Sequence, residues 1–480
     1  LGDVYKRQVL DKYCSFMPVP IFVTNEDAGE QTEEIPEEEV TEKDTVLDTF
    51  IKDAVTEEVE KEDGTKETVE KVPAKKMAKI VKRPVAINDI HPLWTKHPNE
   101  CSDEDYKEFY RKVFHDYKEP LFWIHLNMDY PFNLKGILYF PKINTEYESI
   151  EGTIKLYNNQ VFVADNIKEV IPEFLLLLKG VIDCPDLPLN VSRSALQNDG
   201  FVKKISDYIT KKVADKLSGM CKTDKENYEK YWDDINPFIK FGCLKDEKFA
   251  EKMNDYIIFK NLDGKYLTLK ECLEENKEKH ENTVFYVTDE VEQSQYINMF
   301  KNEGIDAVIL THNIDQPFIT NMESKNENLK FKRIDADLSD SFKEETSKDE
   351  LKDMTEKLSK TFKDALGKEN LTVNVEKLKD ASISSMITLS EESRRMQDMM
   401  KMYGMAGMDP NMFGAEGQTL VLNANNDLVK YVAEHADGEN TKIICEQLYD
   451  LAMLSHAPLS PEQMTGFIAR SNKIMELLAK

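Results

Sequence analysis

Between residues 84 and 338, short apolar segments with the spacing of strands alternate with segments of helical spacing, which limits the possible folds more than any other feature. The segments 122–126 and 137–140 are rich in aromatic and branched aliphatic residues, as strands are. Aromatic and apolar residues recur instead at helical spacing in a stretch that holds Tyr106, Phe109, Tyr110, Val113, Phe114 and Tyr117. Alternating elements of this kind predict an α/β layer within an α/β (α+β) multidomain chain.

A second, smaller α/β unit is predicted further along the chain. Residues 282–287 and 307–310 have the composition of buried strands, and the helical segment 290–302 separates them, so we expect one βαβ crossover. The chain has no Gly-x-Gly-x-x-Gly motif and no P-loop, so this unit is not predicted to bind a nucleotide. After Leu338 the composition is rich in Lys, Glu and Met and predicts a mainly helical domain.

Composition divides the chain into four predicted segments. Residues 1–23 have the pattern of the last helix and strand of a domain whose body would precede Leu1. Residues 24–84 form an acidic linker, 85–338 a middle domain with a large part (85–220) and a small part (221–338), and 339–480 a C-terminal domain. Between Glu26 and Glu70 there are 19 Asp or Glu and 4 Lys, so this stretch carries −15 of the chain's −27 net charge. Because so few apolar residues cannot offset the entropy of ordering, we expect no fold in the linker.

The bulk composition excludes several classes of protein. A net charge of −27 disfavours binding to nucleic acid or to an anionic membrane. Seven scattered cysteines without a Cys-x-x-Cys pair, no signal peptide and no long apolar run together predict a cytoplasmic protein. The eight histidines show no His-Glu-x-x-His spacing, so no metal site is expected. The chain also has no nucleophile-elbow motif, so a self-contained enzyme is not expected.

One arginine stands where a short helix is predicted to begin. Residues 187–197 read LPLNVSRSALQ, with Ser192 as the predicted N-cap and Arg193 in the first turn. A cation there opposes the helix dipole, so a nearby anion such as a phosphate is the functional interpretation. The alternative is a surface arginine paired with a carboxylate.

This run and residues 129–141, DYPFNLKGILYFP, together resemble the middle domain of the ninety-kilodalton heat-shock chaperones, in particular their bacterial, high-temperature protein G, branch. The resemblance extends from about residue 85 to the C-terminus. It implies that Arg193 reaches the γ-phosphate of an ATP, with Mg, that a separate N-terminal domain binds, and that residues 1–23 are a remnant of this ATP-binding domain. It also implies that Asn190 and Gln197 shape this loop, whereas Ser194 departs from the Glu often found in relatives. The full-length protein would then be an ATPase, and this chain alone is not expected to bind or hydrolyse ATP.

A methionine-rich stretch has two interpretations. Met396, Met399, Met400 and Tyr403 follow helical spacing, and further methionines and glycines continue to Gly414. Such residues can fill the chain's own core or form an adaptable surface for apolar partners. In the resembled family this helix contacts client proteins, which favours the second interpretation.

The last two predicted helices carry apolar stripes that the pair cannot bury by itself. Ser460 to Gln463 has the pattern of a capping box with proline at the first helical position. The stripes can pack on their own domain or on a second copy of the chain. The resemblance favours a homodimer, whose predicted interface residues are Ile444, Leu448, Leu451, Phe467, Ile468 and Leu478.

The resemblance implies a molecular chaperone of the ninety-kilodalton heat-shock class, an ATP-driven dimeric clamp that binds unfolded or partly folded client proteins. This chain would supply the middle and C-terminal domains and the arginine that contacts the γ-phosphate. The alternative is an ATP-independent dimeric holdase or adaptor in which the methionine-rich stretch does all the binding.

Overall fold

The computed structural model describes residues 2–24, 29–53, 55–60, 66–142, 152–167, 170–188, 199–336, 340–346, 348–390, 393–395 and 418–479. They form two compact units, residues 1–209 and 210–480. Helices and sheets occur in both, so the predicted α/β multidomain class is confirmed.

The first unit begins with one helix and five strands, which are α1 (Gly2–Cys14), β1 (Thr32–Pro36), β2 (Val46–Lys52), β3 (Val55–Glu60), β4 (Lys66–Val72) and β5 (Lys75–Val81). Three strands form an antiparallel sheet in the order β1-β5-β2, and β3 pairs with β4 as a separate hairpin. The expectation that residues 24–84 have no fold is therefore wrong for the described part of this segment. Its role as a connection between domains stays a prediction.

A few buried side chains and one ion pair explain this order. Ala78 and Ile80 of β5 are fully buried. The Arg83 guanidinium donates two hydrogen bonds of 2.8 and 2.6 Å to the carboxylate of Asp44. These bonds are the main reason why the pKa of Asp44 lies well below its usual value. The net charge of the segment does not reflect the preference of its Thr and Val residues for strands.

The rest of the first unit is a five-stranded sheet with a helix packed on it. Its elements are α2 (Asp103–Phe114), β6 (Phe122–Met128), β7 (Leu134–Phe140), β8 (Ile154–Asn158), β9 (Val161–Asp165) and β10 (Lys179–Asp183). The strand order is β6-β7-β10-β8-β9, with β8 and β10 parallel and the other neighbours antiparallel. The predicted strands at 122–126 and 137–140 are confirmed. The predicted helix is also present, but Tyr117 lies beyond its end and is 90% exposed.

Strands β7 and β10 lie so close together that position 136 requires a glycine. Gly136 of β7 lies opposite Ile182 of β10. A Cβ at position 136 would stand 2.3 Å from the carbonyl oxygen of Val181. Because that oxygen belongs to the backbone of the central strand, no side chain could rotate away to make room.

An aromatic core packs around this sheet. It includes Phe16, Trp94, Tyr106, Phe109, Tyr110, Tyr139 and Tyr157. The ring of Phe16, just after α1, lies 4.7 Å from that of Trp94, centroid to centroid. The strand predicted within residues 1–23 is wrong, because the described residues 15–24 include no strand; instead the Ile21 N–H donates to Asn88 Oδ1 at 2.7 Å. Residues 16–21 thus pack with the sheet that follows them in the chain.

The second unit begins with the end of α3 (Asp199–Thr223) and a series of short elements. These are α4 (Lys225–Lys245), α5 (Glu247–Met253), β11 (Ile258–Lys260), β12 (Tyr266–Thr268), α6 (Leu269–Glu275), β13 (Thr283–Val287), α7 (Ser294–Asn302), β14 (Ala307–Ile309), α8 (Asp315–Lys325) and β15 (Lys330–Arg333). The last three strands form a parallel sheet in the order β14-β13-β15. The predicted βαβ crossover is therefore confirmed as β13-α7-β14.

The chain ends with α9 (Lys348–Leu366), β16 (Thr372–Glu376), β17 (Ser385–Leu389), β18 (Gln418–Asn423), α10 (Asp427–Glu434), α11 (Thr441–Leu454) and α12 (Pro461–Leu478). The three strands form a sheet in the order β16-β18-β17. The predicted helical character is confirmed, and the capping box of Ser460 and Gln463 is present. The Tyr296 hydroxyl donates to the carbonyl of Ile387 at 2.5 Å, so the two sides of the predicted domain boundary at 338/339 share one apolar core.

Candidate functional site

The predicted run 187–197, which contains Arg193 and which we call the arginine loop, lies between two well-defined elements. Strand β10 ends at Asp183, and helix α3 begins at Asp199. Asn190, Arg193 and Gln197 lie outside the described residues, so their placement and roles stay predictions. The structure does describe the chain that leads into the loop, residues 183–187, which we call the loop root.

Hydrogen bonds from residues elsewhere in the first unit hold the loop root in place. The buried Asn158 amide donates to the carbonyls of Cys184 and Pro185 at 3.1 and 3.0 Å. On the other side, the Asn133 N–H donates to Asp186 Oδ2 at 2.7 Å. Because buried polar groups of the backbone must be paired, these bonds fix the path of the chain after β10.

The carboxyl group of Asp183 is the buried centre of this arrangement. Asp183 is 5% exposed. Its Oδ2 accepts hydrogen bonds from Trp94 Nε1 at 3.2 Å and from the backbone N–H of Gln160 at 2.9 Å. Oδ1 has no hydrogen-bond partner among the described residues. Burial is the main reason why the pKa of Asp183 lies above its usual value, since a carboxylate loses its hydration there.

The residues predicted to contact clients, Met396, Met399, Met400 and Tyr403, lie outside the described residues. The structure describes both ends of the segment that contains them. Before it, Arg395 Nη2 lies 2.9 Å from Glu323 Oε2, and the fully buried Arg394 lies 2.9 Å from Asp335 Oδ1. After it, Gln418 begins β18 opposite Leu389 of β17. The segment therefore connects two neighbouring antiparallel strands.

Asp335 is the buried carboxylate that Arg394 contacts just before the methionine-rich segment. Arg333 donates to both of its oxygens at 2.7 Å, and Asp335 is 1% exposed. Burial alone would raise the pKa of Asp335, but the hydrogen bonds from Arg333 and the charge of Arg394 hold it well below its usual value. The carboxylate is therefore ionised and paired inside the second unit.

The predicted dimer residues divide into exposed and buried ones. Leu451, Ile468 and Leu478 are exposed, while Ile444 and Phe467 are partly buried. Leu448 is only 1% exposed and belongs to the core that α11 shares with α9 and the sheet. It is therefore unavailable to a second copy in this structure, and the predicted interface rests on the other five residues.

An ion-pair cluster holds the last two helices together. The Arg470 guanidinium of α12 donates to Asp450 of α11, and its Nη1 lies 3.4 Å from Glu446 Oε2. Gln447 Nε2 of α11 also donates to the Ser471 hydroxyl at 3.0 Å. These bonds orient α12 so that Ile468, Met475 and Leu478 remain exposed.

Neither a group of potential metal ligands nor a membrane-spanning helix occurs in the part of the chain that the structure describes. Among those residues, no group of three His, Cys, Asp or Glu side chains is arranged to hold a metal ion. Within the same ranges, every helix is too short or too polar to cross a bilayer.

Sequence reasoning missed two residues of this site, Asp183 and Gln160. Asp183 follows an apolar strand and carries no local motif. Gln160 comes after Asn158-Asn159, which signals a turn but not what the glutamine side chain reaches. Both depend on partners far away in the sequence.

Comparison with known proteins extends these observations. A family model described as Hsp90 protein matches residues 5–480. The chain is 38% identical over 451 residues to the chaperone protein HtpG of Bacteroides thetaiotaomicron, which covers 91% of this chain and 59% of that protein. It is 42% identical over 362 residues to the HtpG of Porphyromonas gingivalis, covering 72% and 52% of the two chains. The HtpG of Sulfurimonas denitrificans is 28% identical over 407 residues, covering 82% and 63%. The chain thus spans between about half and three fifths of the length of these bacterial relatives.

Proposed function

This chain belongs to the Hsp90 protein family, and we propose that it supplies the middle and C-terminal portions of a dimeric, ATP-driven molecular chaperone. The observation that carries the proposal is the family match over residues 5–480. The relatives that match most of the chain are named as chaperones, which supports the same class of function.

We propose that Arg193 contacts the γ-phosphate of an ATP that, with Mg, is bound outside this chain. An arginine in this role stabilises charge that develops during hydrolysis, an effect worth several kcal/mol in comparable systems. Such a contact requires accurate positioning, because a small misplacement reduces the rate strongly. The hydrogen-bonded loop root supports this role, since the described chain that leads to Arg193 is fixed on the sheet.

The methionine-rich segment is proposed to bind unfolded or partly folded client proteins. Thioether side chains adapt to apolar surfaces of different shape. Ion pairs of Arg394 and Arg395 before the segment, and strand β18 after it, give the segment two fixed ends. Such an arrangement suits a surface that adapts locally while staying attached to a stable domain.

The exposed apolar residues of α11 and α12 are proposed to form a homodimer interface. Leu451, Ile468 and Leu478 leave apolar area in water that a second copy would bury.

The proposed location is the cytoplasm, without nucleic-acid or membrane partners.

The decisive experiment measures ATP hydrolysis and nucleotide affinity of the full-length gene product. Arg193→Ala should lower kcat by at least about tenfold while ATP affinity stays nearly intact. Arg111→Ala is the matched control, because Arg111 is a partly buried arginine of the first unit whose described ion pair is with the exposed Glu104. Its kcat should equal that of the wild type.

Other results would reject parts of the proposal. Equal losses of kcat and affinity in Arg193→Ala would make that residue structural. A gene product that suppresses client aggregation but hydrolyses no ATP would be the ATP-independent holdase instead. Changing Met396, Met399 and Met400 together to Ser should weaken suppression of aggregation without changing hydrolysis in the absence of client.

A further inference from the structure

The turn between β8 and β9 contains a residue in an unfavourable backbone conformation. Asn158 pairs with Val161, so Asn159 and Gln160 form the entire two-residue loop. Their φ angles are 49° and 64°. Hairpin turns with two positive φ angles favour Gly and Asn, whereas a glutamine is uncommon there. A conformation that is unfavourable for its own residue can mark a position where the side chain has a role.

The side chain and the backbone of Gln160 together reach three separate segments. Its backbone N–H donates to Asp183 Oδ2 at 2.9 Å, at the loop root. Its side-chain Nε2 donates to the carbonyl of Phe16 at 2.9 Å, just after α1, and to the carbonyl of Ile90 at 3.1 Å. One residue thus joins the N-terminal segment to the base of the predicted arginine loop.

The Asp183 carboxyl group depends on this residue for its position. Its Oδ2 accepts hydrogen bonds from the indole of Trp94 and from the backbone N–H of Gln160. A displacement of the turn would therefore move Asp183. Because Cys184 and Pro185 bond to Asn158 of the same turn, the loop root would move with it.

We propose that Gln160 is a positioning residue that couples the placement of the N-terminal segment at Phe16 to the loop root and thereby to Arg193. This role rests on the proposed function, because its effect on catalysis requires that Arg193 acts on ATP. Gln160 itself contacts no reacting group; it acts through Asp183 and the residues that follow.

The test uses two glycine variants of the same turn in the full-length gene product. Gln160→Gly removes the bonds to Phe16 and Ile90, yet glycine adopts a φ of 64° readily, so the turn itself should remain. Asn159→Gly is the matched control at φ 49°; its side chain donates only to its neighbour Asn158, at 3.3 Å, in a described contact. We expect Gln160→Gly to lower kcat for ATP about fivefold or more with an unchanged KM and an unchanged or higher Tm. Asn159→Gly should keep kcat within about twofold of the wild type.

Hydrogen exchange gives a readout that does not depend on catalysis. The amides of Met17, Cys184 and Leu187 are hydrogen-bonded on the two sides of the connection. In Gln160→Gly, peptides that contain them should exchange at least about threefold faster, and in Asn159→Gly they should exchange at the wild-type rate. A purely structural role of Gln160 would instead lower Tm and kcat together in Gln160→Gly and leave both unchanged in Asn159→Gly.

The outcomes separate this inference from the function on which it rests. If Arg193→Ala loses hydrolysis but Gln160→Gly keeps wild-type kcat, the positioning role is overturned and the proposed function stands. Unchanged exchange at Cys184 and Leu187 in Gln160→Gly would likewise overturn the coupling. If Arg193→Ala hydrolyses ATP normally, the proposed function fails and the catalytic role of Gln160 fails with it.

Discussion

The indole Nε1 of Trp94 donates a hydrogen bond to Oδ2 of Asp183 at 3.2 Å, although the two residues are 89 positions apart in the sequence. Trp94 is fully buried in the aromatic core, and Asp183 is the first residue of the loop root. This bond therefore connects the core of the first unit to the chain that leads to Arg193. It also places a carboxyl group where ionisation is unfavourable.

Asp183→Asn should change how the stability of the protein depends on pH. The folded-state pKa of Asp183 lies above the usual 3.8 mainly because of burial; hydrogen bonds from Gln160 and Trp94 and the charge of Lys135 oppose this effect without cancelling it. A raised carboxyl pKa contributes stability below the unfolded-state pKa that is lost as pH rises through the folded-state pKa. The Tm of Asp183→Asn relative to wild type should therefore increase between pH 4 and pH 7. A relative Tm that falls over this range would show that the carboxylate stabilises the fold.

Asp335→Asn should destabilise the second unit strongly. The change leaves Arg333 and Arg394 buried without the carboxylate that both contact, and breaking such a pair costs about 3–5 kcal/mol. Thermal and urea unfolding measure the loss. The control is Glu274→Gln, which breaks the exposed pair with Lys277 and should cost less than about 1 kcal/mol. If the two variants lost similar amounts of unfolding free energy, burial would not determine how much an ion pair contributes to stability.

Gly136→Ala should destabilise the first unit by about 1–3 kcal/mol or more, because its Cβ would lie 2.3 Å from the Val181 carbonyl oxygen. The comparison is Gly219→Ala in α3, where a Cβ meets nothing within 4 Å. Alanine there should stabilise the helix by up to about 1 kcal/mol. Thermal unfolding distinguishes the two; equal shifts of Tm would mean that β7 and β10 can separate without cost.

Ile468→Glu should weaken self-association if α12 forms the proposed interface. Ile468 is 53% exposed, so a charge there costs little in the single chain but would be buried without a partner in a dimer. Sedimentation velocity across a range of concentrations would measure the shift to monomer. Leu428→Glu is the control, since Leu428 is 48% exposed on α10 and lies outside the proposed interface. A dimer that persists in Ile468→Glu but not in Leu428→Glu would move the interface to α10.

The elements predicted well are those that local patterns specify. The Ser460 capping box fixes the start of α12 through bonds within four residues. The β13-α7-β14 crossover follows from apolar runs separated by a helical period. The strands of residues 32–81 are not predicted from composition, because the high charge of this stretch masks the strand preference of its Thr and Val residues and because one ion pair, Arg83 with Asp44, links residues far apart.

Residue types and their spacing over a few turns are enough to predict the family, the alternation of helices and strands, and the arginine and methionine motifs. The burial of Leu448 in its own unit and the contact of Gln160 with Phe16, 144 positions earlier in the chain, follow instead from the packing of distant segments. Burial and long-range hydrogen bonds depend on which surfaces meet when the chain packs. The local spacing of residues does not specify these long-range contacts.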